Sequence, residues 1–200
     1  MIDINIFLFY FINHTLENSF FNFLMPIITD IGSTAVVFTI SIILLIFGVF
    51  KKNIKLRRLA IIGLIAFIIT VIIIFTLKVL VEEPRPFIVL KYVNLLIIEL
   101  DPYSFPSGHS GNIFALATAF GLNWTLKIRG KQFKLAWILY PIALLASFSR
   151  VYIGVHYPFD ILIGGLIGIF GGLLATFIVN RYLNDINFLK EKKEYKKIAL

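Results

Sequence analysis

Residues 59–77 read LAIIGLIAFIITVIIIFTL, nineteen positions without a charge. As a helix rising 1.5 Å per residue this stretch reaches about 29 Å, close to the hydrocarbon thickness of a bilayer. Arg58 and Lys78 bound it sharply. Segments 31–50 and 161–179 meet the same requirement, so three crossings are expected from length and composition alone. Segments 111–126 and 135–149 are shorter, and their outer ends are expected to begin or stop beneath the lipid surface. Residues 1–30 hold apolar patches at 4–12 and 20–28, broken by Asn13, His14, Glu17, Asn18 and Pro26, a pattern that suits helices lying in the interface. The expected fold class is an all-α, polytopic transmembrane helix bundle of five spans with N-terminal interfacial helices, or six spans if that segment also crosses. One membrane domain over 1–200 is expected: an interfacial segment 1–30, a transmembrane core 31–180 and a basic tail 181–200.

Composition excludes the soluble alternatives. Of the 200 residues 59% are hydrophobic and 15% charged, and the mean hydropathy is +0.92; a soluble domain carries about 25% charged residues. The chain has no cysteine, which removes disulfides, thiolate metal sites and a cysteine nucleophile. Its N-terminus lacks the basic region and small-residue cleavage site of a secretory signal, so insertion is expected to come from the spans themselves.

The basic residues orient the bundle. Lys51, Lys52, Lys55, Arg57 and Arg58 fall between the first two spans, and Lys127, Arg129, Lys131 and Lys134 between the third and fourth. Arg181, Lys190, Lys192, Lys193, Lys196 and Lys197 follow the last, which places fifteen of the 19 basic residues on one side. Lys and Arg are retained in cytoplasmic loops, so this side is expected to be cytoplasmic. The net charge of +8 is then a skirt attracted to anionic headgroups, and no aromatic–basic interleaving asks for nucleic acid.

Lys78, Arg85, Lys91 and Arg150 are left on the opposite side. A charge near the bilayer centre costs roughly 2.5–3.5 kcal/mol, and snorkelling to the interface explains any one of them. It does not explain their company. Three clusters stand at the outer helix ends: Lys78, six residues, Arg85-Pro86; then Pro106-Ser107-Gly108-His109; then Ser149-Arg150, five residues, His156, three residues, Asp160. Two guanidinium forks and an ammonium suit a tetrahedral oxyanion better than a metal. Ser107 stands where it would cap the third helix, with backbone N–H groups and the helix dipole facing the same anion, and Gly108 permits close backbone approach. His156 and Asp160 lie four apart around Tyr157-Pro158, so a carboxylate can fix one imidazole nitrogen and leave the other as nucleophile or base. Taken alone the pair also reads as a structural cap. His109, at a second helix start beside the same cations, favours chemistry, since two histidines supply a nucleophile and a general acid.

Order and spacing of these clusters, from Lys78 to Asp160, resemble without departure the tripartite signature of the type 2 phosphatidic acid phosphatase superfamily. The surrounding spans look like its membrane branch rather than its soluble acid phosphatases and vanadium haloperoxidases. The resemblance implies that His156 attacks phosphorus to form a phosphohistidine, with Asp160 orienting it and His109 protonating the leaving oxygen. It implies that Lys78, Arg85, Ser107, Gly108 and Arg150 bind the phosphoryl oxygens, with no metal and no cofactor. The resemblance alone decides which histidine attacks. A recessed outer site suits a membrane lipid phosphate, and family habit points to an undecaprenyl-type polyprenyl diphosphate, in the cell (plasma) membrane with the site on its extracytoplasmic face. Phosphatidic acid and phosphatidylglycerol phosphate are the alternatives within the class, and a non-catalytic lipid-phosphate binder or transporter the alternative outside it. The apolar outer loop, with Phe87 to Leu90 and Leu95 to Ile98, either shapes lateral lipid access or packs on neighbouring helices. Gly164, Gly168 and Gly172 recur every fourth residue, which predicts close helix contact within the bundle.

Overall fold

The computed structural model describes residues 3–183, 186, 188 and 189. Most of the predicted basic tail, including Lys190, Lys192, Lys193, Lys196 and Lys197, lies outside the described residues. Helix α1 (Ile4–Tyr10) runs into a wide helical turn at Phe11–Thr15 and is followed by α2 (Ser19–Thr29). A 3₁₀ turn at Asp30–Gly32 joins α2 to α3 (Thr34–Phe50). Next come α4 (Ile54–Val81), the single turn α5 (Pro86–Val89), α6 (Gly108–Asn123), a hairpin of β1 (Thr125–Ile128) and β2 (Lys131–Lys134), α7 (Ala136–Tyr152) and α8 (Pro158–Tyr182).

Helix α4 holds the 59–77 stretch and extends it at both ends. Asn53 accepts from Leu56 N–H to start it, and Glu82, in the left-handed region at φ 51°, ends it. Its 28 residues reach about 42 Å, and the 25 of α8 about 38 Å. Both are long and apolar enough to cross a membrane, and α2 with α3 makes a third candidate crossing bent by 51°. Helices α6 and α7 have 16 and 17 residues, the short lengths expected of them. On α4 the residues Ile68, Ile72, Phe75 and Val79 form an exposed apolar stripe, and Leu162, Leu166, Phe170 and Phe177 form another on α8. Such faces are stable against lipid, not water. This is a membrane protein.

Three expectations need correction. Pro26 does not break the second apolar patch; it lies inside α2, which packs on α7 and continues through the 3₁₀ turn towards α3. The N-terminal segment is thus part of the bundle rather than only a surface layer: Asn13 is buried and donates to Asn94 O at 2.9 Å and to Tyr152 O at 2.8 Å. Helix α6 stops at Asn123, short of the predicted residue 126, because the chain turns into β1. The bundle is therefore not purely α. Arg129 and Gly130 both take positive φ (48° and 81°), the two-residue turn that matches the twist of a hairpin.

Helix α6 is the axis of the bundle, buried at every position from Ser110 to Gly121 and packed against α4, α7 and α8. Its closest neighbour is α8, and the predicted glycine repeat lies in that seam. A Cβ on Gly164 would collide with the carbonyl oxygen of Ser107, and one on Gly168 with that of Gly111. Backbone meets backbone there, leaving nothing flexible to move aside. The basic α3–α4 turn and the hairpin gather at one end, where Lys55, Arg58, Asn123 and Trp124 line a common cavity. Lys78, Gly108, Arg150 and Pro158 gather at the other.

Gly168→Ala is expected to destabilise the bundle by about 1–3 kcal/mol. Thermal unfolding of the purified protein in detergent should show a lowered midpoint, and an unchanged one would mean that the α6–α8 seam has slack.

Candidate active site

The last turn of α4 carries Lys78, and after Glu82 the chain becomes extended. There it pairs with its own return strand: Ser104 N–H donates to Glu83 O at 2.7 Å and Arg85 N–H to Pro102 O at 3.2 Å. This pairing delivers Pro106 and Ser107 to the start of α6. Ser107 caps the helix by accepting from Ser110 N–H at 3.4 Å, and its own N–H donates to Asp160 O at 3.0 Å. Among the described residues the N–H groups of Gly108 and His109 have no acceptor, the arrangement in which a helix start receives an anion.

The third cluster is built by a sharp turn after α7. Gly154 has φ 87°, and a Cβ there would approach Asn94 O to 2.8 Å, so this position needs glycine on both counts. The turn presents His156 just before α8, which begins with Pro158 at its first position and a capping box between Tyr157 and Asp160. Asp160 Oδ2 accepts from Tyr157 N–H at 2.8 Å and faces His156 Nδ1 at 3.1 Å.

The other ring nitrogen settles the tautomer. Arg85 Nη1 lies 3.2 Å from His156 Nε2, and a guanidinium only donates, so Nε2 is the acceptor and Nδ1–H donates to Asp160. Burial, reinforced by the charges of Arg150, Arg85 and Lys78, pushes His156 well below the ordinary imidazole value. It is neutral at pH 7, with its lone pair on Nε2. This is the protonation state a nitrogen nucleophile requires.

Lys78, Arg85, Gly108, His109 and His156 line one cavity of about 230 Å³. Asp160 stands behind His156, Ser107 behind Gly108, and Arg150 reaches the cavity through Glu99. Val71, Ile74 and Phe75 make an apolar wall, and Phe75 is exposed on the bundle's surface, so the charged cradle borders the lipid-facing side directly. The eight predicted residues therefore meet at one place, although their roles rest on chemistry rather than on their being together.

Glu99 and Asp101 were missed by sequence reasoning. Asp101 pairs with Lys78 at 2.6 Å and with Arg85 at 3.4 Å; Glu99 pairs with Arg150 and lies 3.9 Å from Arg85. Their signal was faint: two carboxylates, two apart, in an otherwise apolar outer loop on the side where the unexplained cations stand.

Residues 58–183 match the PAP2 superfamily, and the chain belongs to that family. It is a membrane lipid phosphatase, an enzyme that hydrolyses phosphate esters, so the reading as a non-catalytic binder falls away. It is similar to an undecaprenyl-diphosphatase of Sulfolobus acidocaldarius, with 33% identity over 178 residues, 88% of this chain and 79% of that protein. It is also similar to undecaprenyl-diphosphatase BcrC of Bacillus subtilis, with 31% identity over 187 residues, 88% of this chain and 90% of that protein. Among solved structures, the crystal structure of Aquifex aeolicus LpxE superposes with a TM-score of 0.71 at 31% identity, covering 88% of this chain and 96% of that one.

Asp160→Asn keeps the side chain's shape but removes the charge that would stabilise a developing imidazolium. Phosphate release from a lipid phosphate is expected to fall about a hundredfold or more, with the unfolding midpoint little changed.

Proposed function

We propose that this phosphatase removes the terminal phosphate from a polyprenyl diphosphate of the undecaprenyl type, at the extracytoplasmic face of the cell membrane. The observation that carries this reading is the His156 imidazole, neutral, oriented by Asp160 and turned towards Arg85, in a cavity lined also by Lys78 and walled on one side by apolar α4. A headgroup with several phosphoryl oxygens fits the cations, and a long apolar chain fits the adjoining lipid-facing surface. Similarity to two undecaprenyl-diphosphatases over 88% of the chain supports the same substrate class.

In this mechanism His156 Nε2 attacks the terminal phosphorus as the bond to the bridging oxygen breaks. Arg85 must first withdraw its Nη1 from that nitrogen and donate to a phosphoryl oxygen instead. His109 protonates the departing oxygen, which leaves with the lipid monophosphate. Water then attacks the phosphohistidine, giving its proton to His109, and inorganic phosphate departs with the His156 ring restored. Lys78, Arg85, Arg150 and the N–H of Gly108 hold the negative charge that develops on the phosphoryl oxygens. No step calls on a metal.

Five crossings account for the arrangement: α3 with its bent α2 extension, α4, α6, α7 and α8. The basic α3–α4 turn and hairpin then face the cytoplasm and the site faces outward. Because the chain has no cysteine, single cysteines report sidedness cleanly. In intact cells Tyr92→Cys is expected to react with an impermeant maleimide and Gln132→Cys only after lysis; the opposite pattern would invert the bundle.

Side-by-side phosphate release from a C55 polyprenyl diphosphate, phosphatidic acid and phosphatidylglycerol phosphate tests the substrate. The diphosphate is expected to show the highest kcat/KM, with full activity in chelator, inhibition by vanadate and loss in His156→Ala. Preference for either phospholipid would reassign the headgroup, and turnover retained in His156→Ala would sink the mechanism.

A further inference from the structure

The three cations assigned to phosphate are already occupied. Lys78 and Arg85 hold Asp101, Arg85 and Arg150 hold Glu99, and Arg85 also covers the Nε2 lone pair of His156. Two carboxylates, Glu99 and Asp101, thus stand against three cations in the empty cradle. Arg150 is 1% exposed and its Nε has no acceptor among the described residues, so Glu99 and Thr29 do not exhaust it. A phosphate that pairs fully with these cations must displace the carboxylates from them.

The loop allows an exchange. It is fastened on one side of the carboxylates by Leu96 N–H to Ile153 O, and on the other by Arg85 N–H to Pro102 O. Between these points side chains alternate: Ile98 and Leu100 are 83% and 95% exposed, while Glu99 and Asp101 turn in to the cations. Both carboxylates hang on rotatable stems from an extended segment and can leave by side-chain rotation with the backbone still fastened. Despite partial burial, the charges of Arg150 and Arg85 hold Glu99 below its ordinary value, and Lys78 and Arg85 do the same for Asp101. Both are anions at neutral pH.

The geometry points to Glu99 and Asp101 as internal competitors for the phosphate subsite, which trade places with the phosphoryl group on binding and retake the cations to expel inorganic phosphate. This rests on the reading of the cradle as the phosphate site. Three partly dehydrated cations facing a dianion would retain the product, and binding that holds substrate and product alike gains nothing in turnover. A competing anion attached to the same chain weakens product and substrate binding together, and sets phosphate free.

Glu99→Gln and Asp101→Asn test this in the purified full-length protein. Phosphate binding is read as the rise in unfolding midpoint with added inorganic phosphate, which requires no turnover, and as the inhibition constant during hydrolysis. Each variant is expected to bind phosphate about tenfold more tightly, with a lower KM and a kcat that does not rise; the double variant should bind more tightly still. If the carboxylates instead hold the cations in shape for substrate, removing them weakens phosphate binding. Unchanged or weaker binding in folded Asp101→Asn, whose side chain is half exposed, overturns the proposal even if Glu99→Gln does not fold. Failure of the wild-type protein to release phosphate from any lipid would instead overturn the functional reading, and the thermal measurement would still report on the exchange.

Discussion

Three cations at one end of an apolar bundle, Arg85 and Arg150 buried and Lys78 partly so, have to be neutralised, and much of the outer structure follows from that. An unpaired ion in such surroundings costs several kcal/mol even after relaxation. Lys78, Arg85 and Arg150 come from the end of α4, the segment after it and the end of α7, so no single helix can supply their partners. The connection between α5 and α6 does so by returning over the site with Glu99 and Asp101. Returning requires anchorage, which Asn13 provides from the N-terminal segment through its paired bonds with Asn94. The first helices are thus tied to the site by the loop that neutralises it.

The glycine seam imposes the second constraint. Ser107 and Asp160 belong to different helices, yet the bond between Ser107 N–H and Asp160 O forms because Gly164 leaves room for Ser107. That bond registers the start of α6 against the start of α8, bringing His109 into the cavity that His156 lines. The seam runs on through Gly168 against Gly111, so the register of the two histidines is set over several turns.

What was legible in the sequence was what short spacing carries. Lys78 to Arg85, Pro106 to His109 and Arg150 to Asp160 are each local, and their relation to helix ends could be read from where apolar runs stop. The α4 and α8 crossings were legible for the same reason. Pro26 is misleading when read locally, because α2 is held by packing on α7 that no local pattern displays. The hairpin was hidden in a basic loop whose only turn signal was Arg129-Gly130. Glu99 and Asp101 could not be paired from sequence because their partners come from three separate segments. A carboxylate in an apolar loop acquires meaning only when the fold closes over it.

The same cations have two effects that are hard to separate by inspection of either alone. As donors they would define where phosphoryl oxygens sit. As charges they add to burial, the larger cause, in lowering the proton affinity of His156, which keeps Nε2 available at neutral pH. In the proposed mechanism an arriving phosphate would partly cancel that second effect, since its negative charge favours an imidazolium once a phosphorus–nitrogen bond begins to form. Asp160, accepting from Nδ1 and shielded beneath the ring, would stabilise the same positive charge from the other side. The resting site therefore suppresses protonation of His156, and in the proposed mechanism the occupied site would tolerate the charge that phosphoryl transfer places on it, with no change in the covalent inventory of the cradle.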